Sequence, residues 1–369
     1  MIWIVILVLV MVAMACSIIY LTNRIGKIGF VRKISRENKK INKLFSIVLL
    51  AMIIAVATVF LNFVNAIIII LHLVVFWILC DLIGLIITKI RKKKFNTYYS
   101  WIFAVLITAI YLFIGWNQVN NVVETDYKLT TEKDIEPIRI VQFADSHVGT
   151  TFSGKGLEKY VSEINSKNPD VVVITGDFVD DDTSIDDMRD ACKALSGLQT
   201  KFGVYYCFGN HDMGYYGKKN RGYDGNDLIK ELEKNNVVVL QDDTVLIDDR
   251  FYIVGRQDKS VDTDYYKRDD IREITKKLDK DKYIIVLDHQ PNDYDNEAES
   301  DADLVLSGHT HGGQLIPITF IGELLKINDS TYGYKKMKNT DFIVTSGISD
   351  WSIKFKTGCF SEYVVIDIK

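Results

Sequence analysis

The chain has 369 residues, 48% of them hydrophobic and 25% charged, with a net charge of −4, and that length suggests about two or three folding units. Charge divides it near residue 120: residues 1–119 hold 13 Lys and Arg against only Glu37 and Asp81, whereas the rest holds 31 basic and 46 acidic residues. An acidic second half lacks the basic footprint that tracks phosphate backbones, so nucleic acid is not an expected partner.

Met1 to Leu21 is uncharged and long enough to cross a hydrocarbon core of about 30 Å as a helix. No basic residue precedes this run, as a secretory signal would require, so a retained helix is expected. Residues 22–43 carry eight Lys and Arg against Glu37, and cationic loops of this kind stay on the cytoplasmic side. Leu44 to Thr88 then holds a single charge, Asp81. At about 1.5 Å per residue one helix of that length would be roughly twice the membrane thickness. Two helices are therefore expected, over 44–61 and 66–88, joined at Asn62-Phe63-Val64-Asn65. Lys89 to Lys94 forms a second basic loop, again inside, and a fourth helix follows over 98–119, with Tyr98, Tyr99, Trp101 and Trp116 at its interfaces. Four crossings with both basic loops inside place the remainder of the chain outside the cytoplasm. Asp81 should lie near the inner interface. His72 falls on the opposite helix face, which argues against a proton relay between them.

Residues 120–137 read as a polar linker, and residues 138–369 as one large α/β domain in which short apolar runs alternate with helical patterns and glycine turns. The first run, Ile138 to Phe143, ends in Asp145-Ser146-His147. Val171 to Ile174 is wholly apolar, as a buried parallel strand should be, and ends in Thr175-Gly176-Asp177. Val204 to Phe208 ends in Gly209-Asn210-His211-Asp212, Tyr283 to Leu287 in Asp288-His289-Gln290-Pro291, and Leu304 to Leu306 leads into Gly308-His309-Thr310-His311-Gly312-Gly313-Gln314. Of six histidines only His72 lies in a membrane-like run; the other five follow these strand-like runs. Strand carboxyl ends are where ligand sites of α/β sheets collect. Phe342 to Gly347 and Glu362 to Asp367 read as closing strands. The five cysteines, Cys16, Cys80, Cys192, Cys207 and Cys359, show no CxxC or paired spacing, which argues against a disulfide framework or a zinc knuckle. One disulfide among the last three stays open if that half is extracytoplasmic.

Together, Asp145-x-His147, Gly176-Asp177, Gly209-Asn210-His211-Asp212, His289 and Gly308-His309-x-His311 resemble the calcineurin-like metallophosphoesterases, in that family's order. The segments Asp288 to Pro291 and His309 to Gln314 resemble in particular the membrane-associated bacterial branch, which includes phosphodiesterases and relatives of a lipid A pathway pyrophosphatase. The resemblance implies a sandwich of two β-sheets flanked by helices. It also implies one metal held by Asp145, His147 and His311, a second by Asn210, His289 and His309, and Asp177 bridging them. Where relatives place an arginine between the closing strands, this chain has Lys354 and Lys356.

The residue types support the same chemistry. Two divalent ions about 3.5–4 Å apart need a shared anionic ligand, lower the pKa of water so that hydroxide can attack phosphorus in line, and neutralise the phosphoryl oxygens. His211 is the expected proton donor to the leaving oxygen, with Asp212 beside it to orient the imidazole and favour its protonated form. A mixed His, Asp and Asn shell suits Mn, Fe or Zn rather than Ca, and Mn2+ is the first choice. Asp180 is a candidate extension of the site. Met213 to Asn226, rich in Gly and Tyr, is a candidate lip or surface loop. The expected protein is a membrane-anchored binuclear phosphoesterase acting on a phosphodiester or phosphoanhydride, with lipid-linked material among the candidate substrates. A phosphomonoesterase and a catalytically silent metal-stabilised receptor or scaffold are the alternatives.

Overall fold

A computed structural model describes residues 2–263 and 267–369; Met1, the first residue of the expected first helix, and residues 264–266 of the expected catalytic domain lie outside the described residues. Two compact units emerge: Met1–Trp116 with Ser352–Lys354, and Asn117–Trp351 with Phe355–Lys369.

In the first unit lie α1 (Ile2–Ile25), α2 (Gly29–Ile34), α3 (Lys39–Leu61), α4 (Phe63–Arg91) and α5 (Ser100–Asn120). All but α2 are long and apolar enough to cross a membrane, and they present exposed Val59, Phe60, Leu85 and Phe113, apolar surface of a kind that lipid accommodates without cost. The turn between α3 and α4 contracts from four residues to Asn62 alone. Its φ of 88° breaks the helix, and its side chain accepts from Asn65 N at 2.9 Å; asparagine reaches positive φ more readily than most residues. The short helix α2 inside the first basic loop was not foreseen. Asp81 of α4 pairs with Arg24 at 2.9 Å and accepts from Tyr20 and Tyr98 at 3.0 and 2.8 Å. His72 instead places Nδ1 2.8 Å from Ile68 O, and among the described residues no hydrogen bond joins it to Asp81.

The second unit contains two six-stranded sheets. One is ordered β1 (Val123–Leu129), β12 (Glu362–Ile368), β2 (Ile138–Phe143), β3 (Val171–Thr175), β4 (Val204–Cys207), β5 (Val237–Leu240). The other runs β10 (Gly333–Met337), β11 (Thr340–Val344), β9 (Leu304–Ser307), β8 (Tyr283–Leu287), β7 (Phe251–Gly255), β6 (Asp243–Ile247). The central strands β2 to β5, and β7, β8, β9 and β11, are parallel. Period-two alternation explains why these strands are apolar throughout. Ile140, Val171 and Val173 face Ile285, Leu287 and Leu304 in a core between the sheets. Val141, Val172 and Ile174 point the other way, onto Leu157, Tyr160 and Ile164 of α6 (Leu157–Asn165) and Met188 and Cys192 of α7 (Ile185–Leu195). On the far side, Ile284, Val286 and Val305 meet Ile271, Tyr294 and Ala298. The result is the expected sandwich of two β-sheets flanked by helices.

One correction concerns residues 120–137, which are not merely a linker. Val123–Leu129 pairs in parallel with Glu362–Ile368 as an edge strand. Its even positions, Glu124, Asp126 and Lys128, are exposed while its odd positions are wholly or partly covered. Charged outward side chains also blunt an edge against association. The three cysteines of this unit are buried and free, so the disulfide left open above does not form.

Candidate metal centre

The loops that follow β2, β3, β4, β8 and β9 bring the five motifs together. Each chain must reverse immediately past its strand while aiming a polar side chain back over the sheet. Asp145, His147, Asp177, His309 and His311 accordingly have φ between 35° and 71°. Such left-handed backbone costs roughly 1–3 kcal/mol per residue and persists where surrounding structure imposes it. Glycines allow the close approach: a Cβ on Gly308 would lie 2.6 Å from Asp145 Oδ2 and 2.7 Å from Ala144 Cβ.

Two clusters result, Asp145 with His147 and His311, and Asp177 with His289 and His309; within each, the donor atoms lie inside 4.8 Å of one another. Asp177 joins them. Its Oδ2 is 3.1 Å from His289 Nε2 and 3.8 Å from His147 Nε2, while Oδ1 accepts from His211 N at 2.8 Å. Asn210 gives its Nδ2 to Tyr215 OH at 2.8 Å, leaving a buried Oδ1 without a protein donor, as are His147 Nε2 and His289 Nε2. Buried polar atoms are normally satisfied, and this set of imidazole, carboxylate and amide donors fits a pair of divalent ions.

Neighbouring groups orient the imidazoles, as is usual around metal ligands. His289 Nδ1 lies at hydrogen-bond distance, 2.8 Å, from Thr175 O, while His147 Nδ1 and His311 Nδ1 lie at the longer ion-pair distances of 3.3 Å from Asp180 Oδ2 and 3.5 Å from Asp350 Oδ1. Each contact leaves Nε2 for the centre. Asp180 is itself fixed by the Thr183 hydroxyl and by backbone N–H groups of Asp182 and Thr183. Burial holds His309 down at about 3 and His311 well below the usual imidazole range, helped by the nearby His289 and His147 respectively. Both are thus neutral, the form that binds metals. Burial would raise Asp177, but His289 and His147 hold it well below the usual carboxylate range. Burial lifts Asp145 to about 6 and Asp350 to about 7.

The expected partnership of His211 and Asp212 requires correction. Asp212 turns away from the imidazole and accepts four backbone N–H groups: Asp177 N at 2.9 Å and Gly209 N at 2.7 Å on Oδ2, Phe178 N at 2.9 Å and Val179 N at 3.2 Å on Oδ1. It is a clamp on the Asp177 loop. His211 instead stands among the rings of His147, Tyr215 and Trp351, with centroids 5.1, 5.2 and 5.5 Å away. Burial lowers its pKa, opposite to the protonated form expected.

Several supporting groups were missed or misread. Asp350 carried no spacing signal, since it is a single acid in Ser349-Asp350-Trp351. Lys356 is fully buried and donates to Ser346 O, Ser349 O and Ser361 Oγ at 2.7, 2.9 and 3.2 Å, so it does not stand in for a substrate-facing arginine. Asp288 is held by Arg256 and Arg268 at 2.7 and 2.9 Å, which anchors the end of β8. In the 213–226 segment, Arg221 is buried and donates to Asp180 O and Asp212 O, pinning the loop that carries exposed Tyr215 and Tyr216.

The chain is similar in sequence to known proteins. The calcineurin-like phosphoesterase family pattern matches residues 138–313. An uncharacterized metallophosphoesterase of Campylobacter jejuni is 30% identical over 286 residues, 76% of this chain and 73% of that protein. One from Aquifex aeolicus is 31% identical over 249 residues, 66% of this chain and 90% of that protein. A zebrafish (Danio rerio) transmembrane protein with metallophosphoesterase domain is 29% identical over 282 residues, 73% of this chain but only 62% of its own length. Relatives are therefore both bacterial and eukaryotic. The chain belongs to the calcineurin-like metallophosphoesterases, with a multi-pass membrane region ahead of its phosphoesterase domain.

Proposed function

We propose that this protein hydrolyses a phosphodiester or phosphoanhydride of membrane material, using two divalent ions, Mn2+ first among them. The observation that carries the reading is Asp177 Oδ2, faced by His289 on one side and His147 on the other. Asp145, His147 and His311 would hold one ion, Asn210, His289 and His309 the other, and Asp177 both. Once bound, the ions would supply Lewis acidity, lowering the pKa of water and neutralising phosphoryl charge.

The chain's own groups do the rest. Asp180, Thr175 O and Asp350 keep Nε2 of three imidazoles turned to the centre. Asp212 holds the Asp177 loop. His211, neutral when the site is free of substrate, becomes a better proton carrier as an anionic ester approaches and raises its pKa, and it donates to the leaving oxygen. A membrane substrate is favoured by the exposed rings of Tyr215 and Trp351 beside His211, by exposed Tyr216, and by exposed Ile318, Phe320, Leu324 and Leu325 in the segment after His311. The resemblance to the branch containing lipid-pathway pyrophosphatases points the same way. The two basic loops and the count of four spans support an extracytoplasmic catalytic domain; a carboxyl-terminal tag labelled only after permeabilisation would refute that orientation.

The test is turnover of a chromogenic phosphodiester and its monoester by the full-length chain in detergent with Mn2+, beside Asp177→Asn and His211→Ala. Diester turnover should fall about 10²–10⁴-fold in His211→Ala and disappear in Asp177→Asn. Preference for the monoester would favour a phosphomonoesterase. No turnover by a folded chain shown to hold two ions per molecule would favour a silent scaffold.

A further inference from the structure

The membrane unit has a cavity of about 810 Å³ among the ends of α1, α2, α4 and α5. Arg24, Lys27 and Arg32 line it against one carboxylate, Asp81, and that carboxylate is already engaged by Arg24, Tyr20 and Tyr98. Lys27 has no ion pair among the described residues, and only the Tyr98 ring, 6.0 Å from its ammonium, faces it. Arg32 meets Glu37 in an exposed pair, of the kind that contributes little. Ser100, the first residue of α5, also lines the cavity. That helix has no acidic residue in its first turn, so no carboxylate of its own offsets the positive end of its dipole there.

The walls have a different character. Ile83, Leu85 and Phe103 line the same cavity and are 55%, 68% and 58% exposed, so it opens along an apolar surface. Gly29 adds room, since a Cβ there would meet nothing within 4 Å. A small anion would use the cations and leave these walls in contact with nothing suited to them. An amphiphile with a phosphate head and acyl chains satisfies both. The sequence puts this end of the bundle beside both basic loops, and basic pockets between helices on that side suit acidic head groups.

We propose that this cavity is a binding site for one acidic glycerophospholipid, its phosphate on Lys27 and Arg32 and its chains along Ile83, Leu85 and Phe103. The site is separate from the metal centre and does not depend on the reaction assigned to it. Delipidated full-length protein in detergent, mixed with equal phosphatidylglycerol and phosphatidylcholine, is examined by native mass spectrometry. The parent chain should retain one phosphatidylglycerol. Lys27→Gln and Arg32→Gln should each weaken retention about fivefold, whereas Lys92→Gln and Lys93→Gln, which remove equal charge outside the cavity, should not. Equal retention of the two lipids, equal losses in cavity and loop variants, or displacement of the lipid by excess inorganic phosphate would each overturn the proposal. Unchanged melting temperatures in all four variants ensure that a loss reports binding.

Discussion

Asp212→Asn separates two roles that a carboxylate next to a catalytic histidine could have. In the parent chain each Asp212 oxygen accepts two backbone N–H groups, from Asp177 and Gly209 on one side and Phe178 and Val179 on the other. An amide keeps one oxygen; its NH2 end faces two donors and can accept from neither. Two hydrogen bonds to a charged acceptor are lost, each worth about 1.5–3 kcal/mol, so destabilisation should be at least about 3 kcal/mol. For a domain of this size that lowers the melting temperature by roughly 6–12 °C. Because the clamp carries the Asp177 loop, Mn2+ affinity should fall about 10–100-fold as well. Thermal unfolding of the detergent-solubilised chain, calorimetric Mn2+ titration and a pH–rate profile together make the assay. A variant with parental melting temperature and Mn2+ affinity, but with kcat reduced as in His211→Ala, would refute the clamp and restore Asp212 as the partner of the imidazole.

Three further outcomes are expected. Asp350→Asn should weaken ion binding at the Asp145, His147 and His311 cluster about 10–100-fold by removing the carboxylate beside His311 Nδ1; stoichiometric binding at parental affinity would show that this contact is incidental. Gly308→Ala places a methyl 2.6 Å from Asp145 Oδ2, so it should displace that oxygen and reduce the bound metal measured by elemental analysis to about one ion per chain. Burial lifts Asp145 to about 6. Below that pH a proton competes for the ligand oxygen, so Mn2+ affinity should fall by at least about tenfold per pH unit on the acid side; an affinity flat from pH 5 to pH 7 would contradict this.

Both sheets' central strands and the convergence of His147, Asp177, His289 and His311 were legible because each follows an apolar run, and a strand's end is a fixed place in a parallel sheet. Adjacency along the chain was a poorer guide at Asp212. Consecutive side chains in a tight turn diverge, and the local backbone donors, invisible in the sequence, captured this one. Asp350 meets His311 across loops far apart in sequence, so no spacing announces it, whereas Asp180 stood out only through its place just after Asp177. The strand Val123–Leu129 was hidden by Glu124, Asp126 and Lys128, whose charges outweighed the alternation of Val123, Thr125, Tyr127 and Leu129 beneath them.

The position of β12 governs the order in which this protein can be completed. Strand β1, nearest the membrane helices in sequence, pairs with β12, which also covers the edge of β2. Every other strand is synthesised before β12 exists. During synthesis the growing domain therefore carries an uncovered β2 edge and an unattached β1, both open to wrong pairing. Closure comes only when Glu362–Ile368 inserts between them, pairing Val123 with Glu362 and Ile138 with Ile368. A chain cut short before Glu362 would keep every candidate metal ligand and still leave its first sheet in two pieces.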